Sequence, residues 1–239
     1  MKAAFIGVGV GPGDPELITL KAQRLIQQAD VVSYIANEQG DSQAKKIAHT
    51  VLAGAEKIPE EIAVIMPMSE DRTIANARYD QAALAIQQAI DAGRHVVFLC
   101  EGDPLFFGSF AYLLTRLQQT GVECGVVPGI SSVHAASSAL QLPLTLLKES
   151  FAVVSGRHSE QALVAALSNH DSVVIMKAGR SRAKIIAALN VSGRLCDAKY
   201  LEYIGREREF IEHDVSKLAN GAGPYFSLFV VTKQPRDRS

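Results

Sequence analysis

Cysteine is scarce in this chain, with three residues in 239: Cys100, Cys124 and Cys196. Their odd number, without Cys-x-x-Cys spacing or a companion histidine pattern, excludes a disulfide frame and a zinc site. It suits buried thiols of a reducing cytoplasm. An excess of charge of either sign is lacking too. Lys and Arg number 24 against 25 Asp and Glu, so no overall basicity draws the protein onto nucleic acid or a membrane surface. No apolar run approaches the roughly 20 residues that span a bilayer. The opening MKAAFIGVGV, with its glycines and the acidic cap behind them, reads as a first β-strand and not as a signal peptide. What the chain does have is 48% hydrophobic residues and enough length to bury one large core or two small ones.

Short β-branched runs alternate with longer helical stretches. AAFIGVG, DVVSYI, RHVVFLCEG and VECGVVPG read as strands, the third central and buried. Between them, DPELITLKAQRLIQQA reads as one helix with Asp14 as N-cap and Pro15 at its first position. DSQAKKIAHTVL reads as a helix capped by Asp41 or Ser42, and TIANARYDQAALAIQQAIDAG and FGSFAYLLTRLQQTG as helices stopped by Gly93 and Gly121. The rhythm restarts after VVPGISS. SSVHAASSAL, SEQALVAALSN and SRAKIIAAL are helical, while FAVVSG, DSVVIMKAG, KYLEYIG and YFSLFVVTK are extended. Such alternation predicts layered α/β architecture, largely parallel in the first half and mixed in the second. The turn at Pro128 places a domain boundary, giving residues 1–127 and 128–239.

Gly7, Gly9, Gly11 and Gly13 crowd the turn after the first strand. A dinucleotide fingerprint needs glycines at i, i+2 and i+5, but the third place falls on Pro12 or Asp14. No Gly-Lys-Ser/Thr follows, which excludes a Walker loop. Asp14 and Glu16 occupy the helix start where a pyrophosphate would sit, and would repel it. A tight turn with a capped helix accounts for Asp14 and Pro15. Alternate glycines further suggest backbone passing close to something bulky. A second Gly-Asp-Pro, in FLCEGDPLFFGS, ends the central strand, and its Asp103 is either a site carboxylate or a helix cap. The loops at 9–14, 101–108 and 128–132 are acidic or neutral, which suits a ligand with positive charge and a ribose. The second half supplies bases after successive strands: Arg157 and His158, then Lys177, Arg180 and Arg182, then Arg206 and Arg208. If those strand ends share one edge, they form a wall for a polycarboxylate; otherwise they are solvated surface charge, with Glu207 and Glu209 pairing to their arginine neighbours. His134 reads as a helix residue, and no residue is assigned to a metal.

GVGVGPGDPELITLKAQRLIQQADVV, GDPLFFG and PGISS, in this order along essentially the whole chain, resemble the tetrapyrrole methyltransferases. GDSQAKKIA, MPMSED and PYFSLFVV resemble the branch that methylates carbon 20 of precorrin-2 or cobalt-precorrin-2 on the way to cobalamin. The resemblance implies two α/β domains with S-adenosyl-L-methionine folded into a cleft between them, a tetrapyrrole substrate, and a homodimer in the cytoplasm. By motif, Pro12, Glu101, Gly102, Asp103, Phe106, Ser131, Ser132, Met176, Gly205 and Pro224 fall at cofactor positions. Gly11 and Asp14 of the first loop, with Arg157 and Arg180, are assigned to the tetrapyrrole. Asp103 is the candidate base for the proton that a methylated meso carbon must lose, or else binds ribose or caps a helix. Two departures stand out: Glu101 where some relatives have glycine, and MKAG where several have YMG. Within the same superfamily the alternatives are another ring carbon, a protein side chain or ribosomal RNA. Outside enzymes, the alternative is a nucleotide-binding module that has lost the reaction.

Overall fold

The structure, a computed structural model, describes residues 3–67, 72–219 and 221–234. The motif residues 68–71 of MPMSED therefore lie outside the described residues. The chain divides into two compact units, Met1–Ser132 and Val133–Ser239.

In the first unit the apolar runs become β1 (Phe5–Gly9), β2 (Val31–Ala36), β3 (Glu60–Ile65), β4 (Val96–Cys100) and β5 (Cys124–Val127). All are parallel, in the order β3-β2-β4-β1-β5. β4 is buried at every residue, as its unbroken apolar run requires of a central strand. One face of the sheet is covered by α1 (Leu20–Gln27), α2 (Gln43–Ile47) and α3 (His49–Ala53), with Ala22, Ile26 and Val51 packed against Val8, Val32 and Leu99. The other is covered by α4 (Arg72–Asp91) and α5 (Phe110–Gln119), which bring Tyr79, Ile86, Phe110 and Leu113 onto Phe5, Val96 and Phe98. Gly7 lets α5 come this close, since a Cβ there would lie 2.5 Å from the Phe110 ring.

Three local expectations need correction. The helix expected from Pro15 is in two pieces: a single 3₁₀ turn, Pro15–Leu17, and then α1. Ile18 is extended between them, and the Thr19 hydroxyl accepts the Ala22 N–H at 3.2 Å, so Thr19 and not Asp14 caps the α-helix. The helix expected over DSQAKKIAHTVL is likewise split at Ala48, with Ser42 as the cap of α2. Strand β3 was not anticipated. It is an edge strand opening on Glu60 and Glu61 between Pro59 and Pro67, where charge and proline mask the pattern while blunting the edge.

The second unit holds α6 (Ser132–Leu140, its first residue belonging to the first unit), β6 (Phe151–Ser155), α7 (Glu160–Asn169), β7 (Ser172–Met176) and α8 (Arg182–Val191). β8 (Ala198–Glu202), β9 (Phe210–Glu212) and β10 (Ser227–Thr232) complete it. The order is β6-β7-β10-β8-β9. β6 and β7 are parallel and the remaining pairs antiparallel, the mixed sheet expected from the weak helices between late strands. Leu163, Leu167, Ile185 and Leu189 of α7 and α8 bury against Val173, Ile175, Tyr200 and Phe229. β9, three residues at the far edge, is too short to announce itself in sequence.

Candidate functional site

The order of the first sheet creates the site's address. From β1 the chain runs on to the face of α1, and from β4 to the face of α5, so two adjacent strands lead to helices on opposite faces of the sheet. Such switch points are where open α/β sheets receive ligands. There the loops after β1, β4 and β5 meet main chain to main chain. Gly102 N–H donates to Gly11 O at 2.8 Å. A Cβ on Gly9 would lie 2.5 Å from both Gly102 O and Gly129 Cα, and one on Gly129 would lie 2.2 Å from Gly102 O. Gly102 also holds φ +64°. The close approach inferred from alternate glycines is thus to other backbone at Gly9, and to the Phe110 ring at Gly7.

Asp103 ties this junction. Its Oδ1 accepts the Leu105 N–H at 2.9 Å and its Oδ2 accepts the Gly129 N–H at 3.1 Å, linking the second loop to the third. Gly11, Pro12 and Ser131 of these loops are buried, Phe106 is half-buried edge-on to Phe107, and Glu101 is exposed. Ser132 opens α6, and His134 is exposed two residues further on. Asp14 spends Oδ1 on the Glu16 N–H at 2.9 Å, capping the 3₁₀ turn. The sequence places Asp14, Glu16, Glu101 and Asp103 in these loops, and neither lysine nor arginine. Just beneath, burial pushes the Cys100 thiol well above its ordinary pKa, with Asp103 and Glu101 adding to the effect.

In the second unit, the carboxyl ends of β6, β7 and β8 do share one edge. Ser155 pairs with Met176, Met176 with Leu228, and Ser227 with Glu202. Arg157, Lys177, Arg180, Arg206 and Arg208 all leave from this edge, with Arg157, Arg180 and Arg208 exposed and Lys177 and Arg206 half-buried. Met176 O accepts the Gly156 N–H at 2.7 Å. Pro224 lies against the loop after β7: a Cβ on Gly179 would come within 2.2 Å of Pro224 O, and Gly223 N–H donates to Gly179 O at 2.8 Å. Gly205 stands at φ 73°, and its N–H donates to Glu209 Oε2 at 2.7 Å, so that carboxylate serves a turn.

Arg182 departs from the basic set. Its Nε donates to Gly221 O at 3.1 Å and a terminal nitrogen to Ala219 O at 3.0 Å, with only 11% of the side chain exposed. It staples the loop before β10. Sequence reasoning also missed an aromatic group beside the basic edge. Tyr203, at φ 52°, donates its N–H to Phe226 O at 2.9 Å, and the Arg206 guanidinium lies 4.0 Å over the Phe226 ring. The available signal was aromatic residues bracketing both late loops, in EYIGRE and GPYFS.

A parallel α/β unit with an acidic switch point, followed by a mixed α/β unit with a basic loop edge, is the class that fold and site define. The family model described as Tetrapyrrole (Corrin/Porphyrin) Methylases matches residues 4–219, and the chain belongs to that family. It is 36% identical over 233 residues to the precorrin-2 C(20)-methyltransferase of a Sinorhizobium species, covering 95% of this chain and 94% of that one. It is 38% identical over 232 residues to cobalamin biosynthesis protein CobIJ of Mycobacterium tuberculosis, a match over 93% of this chain that spans only 44% of that protein's length. Among solved structures, the uroporphyrin-III C-methyl transferase of Thermus thermophilus complexed with S-adenyl homocysteine superposes with a TM-score of 0.69 at 27% identity, covering 97% of this chain and 98% of that one.

Proposed function

We propose that the chain is an S-adenosyl-L-methionine-dependent methyltransferase acting on carbon 20 of precorrin-2 or cobalt-precorrin-2 in cobalamin biosynthesis. The observation that carries the proposal is the end-to-end match to a precorrin-2 C(20)-methyltransferase, which extends over nearly the full length of both chains. The first unit's loops fit the cofactor: a nucleoside bearing a sulfonium suits a junction lined by Asp14, Glu101 and Asp103, and a polyphosphate does not. Pro12, Glu101, Gly102, Asp103, Phe106, Ser131 and Ser132 of the first unit would hold it, with Met176, Gly205 and Pro224 of the second. When bound, S-adenosyl-L-methionine supplies an electrophilic methyl group whose thioether leaving group needs no proton.

The work left to the protein is alignment, which is worth about 7–11 kcal/mol when the reacting atoms are held in attack geometry. The glycine junction fixes the spacing of the three loops, and Asp103 locks it through two backbone N–H groups. We therefore assign Asp103 a positioning role, because each carboxylate oxygen accepts a backbone N–H, and keep the base role as the alternative that its remaining lone pairs leave open. Gly11 and Asp14, with Arg157 and Arg180, are the residues proposed to meet the tetrapyrrole.

Among the described residues no helix is long and apolar enough to cross a membrane. We place the protein in the cytoplasm as a homodimer, to be checked by fractionation and by light scattering. The activity is tested by calorimetry with S-adenosyl-L-methionine, then incubation with precorrin-2 with and without cobalt. A mass gain of one methyl group is expected, and the two rates decide which form is preferred. Absence of affinity for the cofactor, or retention of a dinucleotide instead, overturns the proposal.

A further inference from the structure

The second sheet opens on a strand whose outer edge is left unpaired: β6 pairs with β7 alone. Ser150 O accepts the Ser172 N–H, and Gly156 N–H donates to Met176 O. By alternation the backbone groups of Ala152 and Val154 also point to β7, and those of Phe151, Val153 and Ser155 point away from it. Among the described residues only Ser155 O meets a donor on that side, the His158 N–H at 3.1 Å. Such edges are normally blunted by charge, proline or brevity. The other outer strands follow that rule. β3 opens on Glu60 and Glu61, β5 has four residues with Gly125 among them, and β9 has three and ends on Glu212. β6 does not: FAVVS is five residues without charge, glycine or proline, and none of them is fully buried. Apolar side chains adjoin it, with Phe151 36% exposed and Leu147, four residues earlier, 84% exposed.

We propose that this edge joins two copies of the chain, β6 pairing antiparallel with the partner's β6 about a two-fold at Val153. The register follows from which groups point outward. Val153 opposite its own counterpart exchanges two hydrogen bonds, and Phe151 opposite the partner's Ser155 exchanges two more at each end. Every outward N–H and C=O of the five residues is then used, on both copies at once. No like charges face one another, as Glu60 and Glu61 would across a paired β3. Glu149 and Arg157 stand four residues either side of Val153, so the ends of the run differ in sign and a two-fold copy meets each with its opposite. The two five-stranded sheets become one of ten strands. The inference rests on the homodimer reading given above and supplies its surface.

The test uses Val153→Pro and a pair of cysteine variants. In the single chain the Val153 N–H donates to nothing, so proline removes no internal hydrogen bond, while in the ladder it removes the two central ones. Light scattering and sedimentation over a concentration series should show the dimer dissociation constant raised roughly 30-fold or more, the effect of two backbone hydrogen bonds at their usual net worth. Because Cys196 is exposed, the cysteine variants carry Cys196→Ser. Oxidation should link two chains of Val153→Cys, since a self-opposed position brings the Cα atoms to about 5.5 Å. Ala152→Cys, which faces the partner's Val154, should not link. A folded Val153→Pro protein that dimerises as tightly as the wild type overturns the ladder and leaves the homodimer standing. So does a Val153→Cys protein linked no more than Ala152→Cys, and this pair decides alone if circular dichroism finds the proline variant unfolded. A wild type that stays monomeric overturns the homodimer reading and the ladder with it.

Discussion

Replacing Asp103 by asparagine separates a residue that holds the loops from one that takes a proton. In the native protein each carboxylate oxygen accepts one backbone N–H, from Leu105 at 2.9 Å and from Gly129 at 3.1 Å. Asparagine keeps one oxygen and replaces the other with an amide NH₂, so in either orientation a donor faces a donor. A hydrogen bond to a charged group contributes about 1.5–3 kcal/mol, and the half-exposure of Asp103 favours the lower end, about 1.5 kcal/mol. For a chain of this size that lowers the melting temperature by about 3–6 °C. Asp103→Ala, losing both acceptors, should fall by about twice as much. Thermal unfolding followed by circular dichroism reads the stability, and calorimetry with S-adenosyl-L-methionine reads the cofactor. In the positioning role stability and cofactor affinity drop together, and the pH profile of kcat keeps its shape. A base would add to the same loss of stability a cost of about 10²–10⁴-fold in kcat, with one limb of that profile lost. An Asp103→Asn protein that melts within about 1 °C of the wild type refutes the latch.

Gly129→Ala should be harsher, because its Cβ would meet main-chain atoms, Gly102 O at 2.2 Å and Gly9 Cα at 2.7 Å, and no side chain is there to yield. About 3 kcal/mol or more of lost stability is expected in a denaturant titration, and a shift under about 1 kcal/mol contradicts the packing described. Arg182→Ala should cost about 1–3 kcal/mol through its two carbonyl bonds, whereas Arg157→Ala and Arg180→Ala should leave stability alone and weaken precorrin-2 binding; the reverse pattern would reassign the basic edge. Asp30 has its carboxyl held below the usual 3.8, first by the Lys57 ammonium and then by the His95 N–H at 2.8 Å. A depressed folded pKa stabilises above the unfolded value, so the advantage of the wild type over Asp30→Asn should be full at neutral pH. It should disappear as pH falls from about 3.8 through the folded value, and an advantage that persists in stronger acid counts against the pair.

Most strands and helices were legible because burial imposes a period: VVFLC reads as a central strand since both its faces are covered. β3 was not, because an edge strand bounded by Pro59 and Pro67 and opening on two glutamates carries the marks that normally argue against a strand. Asp14 followed by proline looked like a helix start, but whether the first turn continues depends on Thr19, whose hydroxyl restarts the helix five residues later. At the site, the acidic character of the first loops was legible in their composition, whereas the shared edge of the basic ones, conditional in the sequence, is decided by the strand pairing. The role of Arg182 was not legible, since its carbonyl partners at Ala219 and Gly221 are nearly forty residues away. Nor was the left-handed φ of 55° at Lys177, which leaves no trace in a list of residue types.

The contact among Gly9, Gly102 and Gly129 contains no side chain at all. Asp103 apart, the spacing of the loops it joins is consequently insensitive to what those loops display. Leu105, Phe107 and Ile130, exposed on two of them, can be exchanged for residues of another size without moving the frame on which they stand. A junction made of backbone and latched by one carboxylate is in this sense a fixed chuck for interchangeable tools, and new ring-face preferences can be tried on it one side chain at a time.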